Sequence, residues 1–599
     1  MSSLFSFASS KDLPRQLFES RPFRYGLFAL AIILPLLVHY APFLFAGNIY
    51  ISSDHQLFFK PFSEFIGNAY KHGKLPLWNP FLYLGMPQIA LASPSYIYPP
   101  TLLYAIQSYS QAVSEQQILH HVIAAIGGAL FCQSIGLGFG ASAIAGLGFA
   151  FSGYMFSLSA NYTLVAAVSW LPFALFTSRR IRFSDTKSSR CFWAALMSVS
   201  IFMMVSAGRP EVFVPVILVI TAHAVTGFVR FNLLKIDESN LDGIDEHKPL
   251  LILFYRLLAL VIGCGLAMPL LLPALEWASV SARANGMAPD VALLWSSNWY
   301  TFATIVLGQP FGDLQTLGNS LLPVAADRAA YMPFLPSAYV GAGILTFALL
   351  GFYHTRSPWL VPACAFIFFG TIFTLGKYTP ILPWLLEHFS VLGVFRYPVK
   401  LIVLPIMGLC LLAGFGLEAV KNNKVGFSAL RSLAIVWLVV LMVGLTLAVY
   451  GQYFIPLQAQ KLSVNAEVAL GLGLALLHAG CLGILVVALC LFRQKLKISS
   501  LNFIFAIGIL LGADLIGVSM RFPPLSVDRH GLDAKPAVLA MLEKASSPAK
   551  ISDIRILNLY YDPIYAPSNL LSSQPRERTL GYYRYCRDML LSNGNVEFQ

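Results

Sequence analysis

Charged residues are scarce in this sequence. Asp, Glu, Lys and Arg make up 11% of its 599 positions, while 57% of positions are hydrophobic; soluble domains carry roughly a quarter charged residues. A soluble fold of this length could not hide so much apolar surface, so that class is excluded. Cysteine is also sparse. The eight, at positions 132, 191, 264, 364, 410, 481, 490 and 586, show no CxxC or zinc-ligand spacing, which argues against a disulfide framework or a cysteine-bound metal. Ten-residue segments of alternating polarity, the mark of a membrane β-barrel, are missing. No internal repeat is visible, which disfavours the inverted-repeat transporters. The formal net charge of +12 is spread over short loops rather than gathered in one patch, so no nucleic-acid partner is expected.

What the sequence does have is a succession of nearly uncharged runs of about twenty residues, each long enough to cross a roughly 30 Å hydrocarbon core as a helix. They fall at 24–47, 115–135, 139–159, 162–178, 191–207, 210–230, 250–275, 337–353, 358–376, 401–419, 432–450, 467–492 and 500–519. The first is too long for a signal-peptide core and reads as an uncleaved anchor. The expected fold is an all-α polytopic membrane protein with about thirteen transmembrane helices.

Orientation follows from the basic residues. A cytoplasmic N-terminus, with Lys11, Arg15, Arg21 and Arg24, also puts inside Arg179, Arg180, Arg182, Lys187, Arg190, Arg230, Lys235, Lys248, Arg356, Lys421, Lys424, Arg431, Arg493, Lys495 and Lys497. The longer outward loops then hold fewer lysines and arginines. This reading divides the chain into a cytoplasmic tail (1–23), a transmembrane domain (24–519) with outward loops 48–114 and 276–336, and a short extracytoplasmic tail (520–599). The expected location is a bacterial cytoplasmic membrane, N-terminus inside and C-terminus outside.

Loop 48–114 is the most informative segment. Asp54 stands just past the first span. Beyond it Leu57, Phe58, Phe62, Phe65, Ile66, Ala69 and Tyr70 share one helical face, while Lys60, Ser63, Glu64, Asn68 and Lys71 take the other. That pattern predicts an amphipathic helix lying on the bilayer. An aspartate at that height can serve as a general base for a lipid-borne substrate; spacing alone favours an N-cap for the surface helix or a solvated loop carboxylate. Trp78 and Asn79, further on, are expected to shape the loop rather than react.

A series of stretches then resembles the YfhO family of bacterial membrane proteins, within the GT-C glycosyltransferase superfamily. They are SSDHQLFFKPF, PLWNPFLYLGMPQ, YPP at 98–100, FAFSGYMF at 149–156, SWLPFAL at 169–175, GLAMPLLLPALEWASVSAR at 265–283 and FRYPVKLIVLPIMGLCLLAGFGLE at 395–418. The resemblance runs from about residue 24 to 520, in the expected order. It implies a GT-C-like helical membrane fold, a long first outer loop whose acid corresponds to Asp54, and transfer of a sugar from a polyprenyl-phosphate carrier to an extracytoplasmic acceptor. The acceptor class is a cell-envelope glycan, glycolipid or protein.

Such a reaction needs one base for the acceptor hydroxyl. The leaving phosphate monoester, with a second pKa near 6, departs without a proton donor but calls for positive charge. Candidates on the outward side are Arg209 and Glu211 in a tight turn, Glu276 and Arg283 seven residues apart, and Arg396 and Lys400 flanking Pro398. The structural alternatives are snorkelling at a helix end for Arg396 and Lys400, an ion pair between Glu276 and Arg283, and capping of the turn by Arg209 with Glu211. Asp514, near the outer end of the last span, is costly in lipid and so either functional or a helix–helix hydrogen-bond acceptor. His39, His223 and His478 read as isolated structural residues. No cofactor is expected and no metal-ligand cluster is visible; metal dependence is left open. The rival functions are a flippase or transporter of lipid-linked glycans and a non-catalytic envelope-assembly protein.

Overall fold

The computed structural model describes residues 21–50, 54–81, 85–209, 249–281, 284, 286–308, 310, 334–389, 392–393, 396–454, 465–496, 498–521 and 526–528. Within them the protein is a bundle of long helices. They are α1 (Arg21–Phe45), α2 (Lys60–Lys71), α3 (Tyr109–Ser134), α4 (Phe139–Ala150), α5 (Gly153–Ser157), α6 (Tyr162–Ser169), α7 (Leu171–Arg182) and α8 (Lys187–Ser206). After these come α9 (Pro249–Leu266), α10 (Met268–Ser279), α11 (Gly341–His354), α12 (Leu360–Leu375), α13 (Ile381–His388), α14 (Val403–Lys421), α15 (Phe427–Phe454), α16 (Asn465–Lys495) and α17 (Ser500–Ser519).

Among the described residues nine helical stretches are long and apolar enough to cross a membrane, or ten if the bent pair α9–α10 is one span. Ten of the thirteen expected runs therefore match such a stretch, one of them bent; α3 and α11 do not meet that test. α3 carries Glu115, His120 and His121 and packs against α1, α4 and α7, while α11 is a shorter apolar helix. The run 210–230 lies outside the described residues. The bend of 70° at Ala267 has a covalent cause, because Pro269 lacks an amide proton and its ring clashes with the preceding turn.

α14 forms the centre, packed on α4, α11 and α12. Its approach to α11 depends on small residues: a Cβ on Gly351 would collide with the Leu412 carbonyl, and one on Gly416 with the Phe347 carbonyl. Close backbone contact of this kind is the usual way helices associate in lipid, where apolar burial gives no net drive. α15 and α16 form a peripheral hairpin on this core, tied to it by the Trp437 indole donating to Thr346 Oγ1 at 2.9 Å.

Contacts between loops gather at two opposite ends of the bundle. At the basic face Gly138 N donates to Glu418 Oε2 (3.3 Å) and Arg493 Nη2 to the Lys421 carbonyl (2.9 Å). At the other face Gly153 N donates to the Tyr339 carbonyl (2.7 Å) and Ser157 Oγ to the Ser337 carbonyl (3.0 Å). Strand β1 (Asn48–Tyr50), directly after α1, pairs antiparallel with β4 (Ser526–Asp528), directly after α17. The first and last spans therefore end on one face, the face that carries Asp54.

The amphipathic stripe of the first loop does not lie on the bilayer as expected. Phe62 and Ile66 are 3% and 0% exposed, because α2 packs on the 3-10 helix Pro99–Ala105 from the same loop. Gly67 sits against the Tyr104 backbone, where a Cβ would not fit. The apolar face is thus covered by protein.

Candidate active site

Asp54 opens a π-helical turn, Asp54–Phe59, that runs straight into α2. π-turns are uncommon and recur at functional positions. The next residue anchors it. His55 is buried, with Nδ1 2.6 Å from the Tyr109 hydroxyl and Nε2 3.0 Å from the Ser159 carbonyl. Its ring stacks on Tyr50 and Tyr162, with centroids at 4.4 and 5.8 Å. Since Ser159 O can only accept, Nε2 carries the proton and Nδ1 accepts from Tyr109. Burial drives the imidazole pKa down to about 3, against a smaller opposing effect of the Ser159 carbonyl, so His55 is neutral and holds Asp54 in place without charge.

Two other elements meet Asp54. Asn161, in the 3-10 turn Ser159–Asn161 before α6, hydrogen-bonds its side chain to the Asp54 carboxylate. Arg209, just past α8, donates Nη2 to Asn161 Oδ1 and Nε to Thr163 Oγ1, both at 3.1 Å. The amide of Asn161 is thereby oriented from both ends: its oxygen takes the guanidinium proton, so its nitrogen is left to donate to Asp54. Ser93 Oγ donates to Thr163 Oγ1 at 3.0 Å, tying the first loop to the same group. The turn that presents Arg209 requires glycine. Gly208 has φ +86°, and a Cβ there would strike the Ala92 carbonyl.

Asp54 is an exposed residue, yet its crowded surroundings raise its pKa above the ordinary value. The Arg209 charge and the Asn161 hydrogen bond pull it back part of the way. A carboxylate so placed is a stronger base than a free one and remains reachable.

A second group lies on the same face. Tyr397, left-handed at φ 71°, stacks edge-on against Trp295, itself at φ 53°, with centroids 4.4 Å apart. Arg396 Cζ lies 4.9 Å and Lys400 Nζ 5.3 Å from the Tyr397 ring centre, and Lys400 is 7% exposed. The segment α5 to Asn161 touches both groups, for Tyr154 Oη donates to the Lys400 carbonyl at 3.0 Å.

The structure therefore brings Asp54 and Arg209 together, and separately Arg396 and Lys400. Glu276 is exposed on α10. Its expected partner Arg283, and Glu211 beside Arg209, lie outside the described residues, as does His223. Asn79 shapes its loop as expected, donating Nδ2 to Gln88 Oε1 at 3.1 Å and accepting from Phe81 N at 3.0 Å. Asp514 accepts from Tyr339 Oη at 2.9 Å, and His478 Nε2 stands 3.0 Å from its Oδ1. Asp514 is thus a helix–helix acceptor, and His478 is not isolated. His39 packs edge-on against Tyr40 and Phe156. Among the described residues no group of three or more His, Cys, Asp or Glu side chains is placed to hold a metal ion.

Asn161, Thr163 and His55 escaped the reading of the sequence. For Asn161 a signal existed: it is the one amide in the short polar break between two apolar runs. His55 gave none, since its role rests on partners distant in the chain.

No known family model matches the chain, and no curated protein matches it. The resemblance to the YfhO family is therefore not confirmed by a family model. Among solved structures the chain is similar to ArnT from Cupriavidus metallidurans bound to undecaprenyl phosphate, at 13% identity over 83% of this chain and 77% of that one, with a TM-score of 0.42. It is also similar to the apo state of that protein, at 13% identity, 84% and 78% coverage and a TM-score of 0.39. The arabinofuranosyltransferase AftD from mycobacteria aligns at 15% identity over 64% of this chain and 25% of its own, with a TM-score of 0.33.

Proposed function

We propose that the chain is a GT-C-type membrane glycosyltransferase that moves a sugar from a polyprenyl-phosphate carrier to a cell-envelope acceptor, with Asp54 as general base. The observation that carries this reading is the Asp54–Asn161–Arg209 constellation. An open carboxylate of raised basicity stands where the first span meets the surface, with a fixed cation one amide away. An N-cap role would not require either partner.

In this reading the acceptor hydroxyl gives its proton to Asp54 as its oxygen bonds to the anomeric carbon. The bond from that carbon to the phosphate oxygen breaks, and the carrier leaves as its phosphate monoester. Arg209 favours the ionised state of Asp54 before the reaction. Arg396 and Lys400 supply positive charge for the phosphate, and Glu276, Arg283 and Glu211 complete the proposed substrate-binding set. No metal step is required. The face carrying Asp54 is then the extracytoplasmic one, and the host membrane a bacterial cytoplasmic membrane.

The test is direct. Vesicles holding the purified chain, supplied with a polyprenyl-phosphate sugar and envelope extract, should release free polyprenyl phosphate as label enters the acceptor. Release equal to that of empty vesicles, across a panel of such donors, would contradict the proposal.

A further inference from the structure

The first loop exposes a row of large apolar side chains away from the Asp54 constellation. Leu75, Leu77 and Trp78 are 65%, 52% and 56% exposed, and Leu102 and Ile106 57% and 77%. The first three follow α2, and the last two lie on or just after the 3-10 helix on which α2 packs. This is a formed surface. Ile89 N donates to the Leu77 carbonyl at 3.3 Å, Trp78 pairs with Pro87 in the short antiparallel ladder of β2 (Trp78–Asn79) and β3 (Met86–Pro87), and the Trp78 indole lies over Gly85, where a Cβ would come within 2.8 Å of it. Lys71, His72 and Lys74 stand exposed beside it.

We propose that the Lys71–Trp78 segment, with Leu102 and Ile106, is a membrane-docking edge that seats the first loop in the headgroup region of the leaflet on the Asp54 side. Three features select lipid as its occupant. Ile106 precedes α3 by three residues, and further along α3 Leu119 (41%) and Ile126 (38%) are exposed on one helical face, so apolar surface recurs on the outside of the next span. Lysines beside leucine and tryptophan match a bilayer boundary, with ammonium groups at the phosphates and the indole at the interface. Apolar residues this exposed and this closely grouped are not left facing water. Contact with the bilayer thus moves from the stripe of α2, which protein covers, to the segment after it. Because α2 continues the turn that begins at Asp54, the edge fixes the far end of the element bearing the carboxylate. The inference stands whether or not Asp54 is a catalytic base.

The experiment uses the full chain with p-benzoylphenylalanine at Leu77, at Ile106 or at Asn68, an exposed residue on the polar side of α2. Each protein is reconstituted in vesicles of phosphatidylethanolamine and phosphatidylglycerol, illuminated, and weighed intact and after digestion. Phospholipid adducts are expected at 77 and 106, with position 68 at background. Protein cross-links at 77 and 106, whether to a second copy or to another partner, would overturn the proposal. So would lipid adducts absent from both, or equally abundant at all three.

Discussion

At the scale of single residues, Asp54 is held between opposing influences. Crowding raises its pKa, while Arg209 and Asn161 favour the carboxylate. Removing either partner weakens the opposition to that crowding, so Arg209→Gln and Asn161→Ala should each move the acid limb of the pH–rate profile to higher pH. A profile of kcat/KM against pH checks this, and an unmoved limb would separate these residues from the base. The sign for stability is the reverse of the usual aspartate case. A folded carboxyl with a raised pKa contributes stability that is complete below the ordinary value and is lost as pH rises through the raised one. Asp54→Asn should therefore leave thermal stability at neutral pH unchanged or higher, whereas the capping role would predict a loss. His55→Leu should behave differently, leaving the Ser159 carbonyl and the Tyr109 hydroxyl unpaired at about 1–3 kcal/mol each, which thermal unfolding in detergent would register. Asp54 and Arg209 were singled out in the sequence, because polar residues at the ends of apolar runs are conspicuous. Their link through Asn161 was not, since it depends on three turns that only the fold brings together.

At the scale of elements, apolar length located the spans well, because lipid imposes one length on every crossing helix. Amphipathicity was less informative. A stripe of Phe62 and Ile66 looks the same whether it meets acyl chains or the 3-10 helix Pro99–Ala105, and the long proline-rich loop supplied the second cover. Gly67 records that choice, since only hydrogen fits against the Tyr104 carbonyl. Gly67→Ala should lift α2 from its seat at a cost of about 1–3 kcal/mol. It should also lower transfer, since the same continuous helix carries Asp54. Thermal unfolding and transfer measured on one preparation would check both, and a fully stable, fully active Gly67→Ala would show that α2 is not seated as described.

At the scale of the whole molecule, the β1–β4 pairing places the ends of the first and last spans together, and the basic residues predict which side of the membrane that face meets. A reporter fused after residue 528 should be active only on the extracytoplasmic side, and cytoplasmic activity would invert every face. The second basic group, Arg396 and Lys400 against Tyr397, was visible as residue types but not as an aromatic cluster, because Trp295 and Tyr397 meet only across the fold. The central claim concerns the chemistry at Asp54, and sugar transfer by Asp54→Asn in membranes, at matched protein level, tests it most directly. General-base catalysis contributes about 10²–10⁴-fold, so transfer should fall by that factor, equivalent to about 3–5 kcal/mol, with the fold intact. Transfer within a few-fold of the parent would contradict the account.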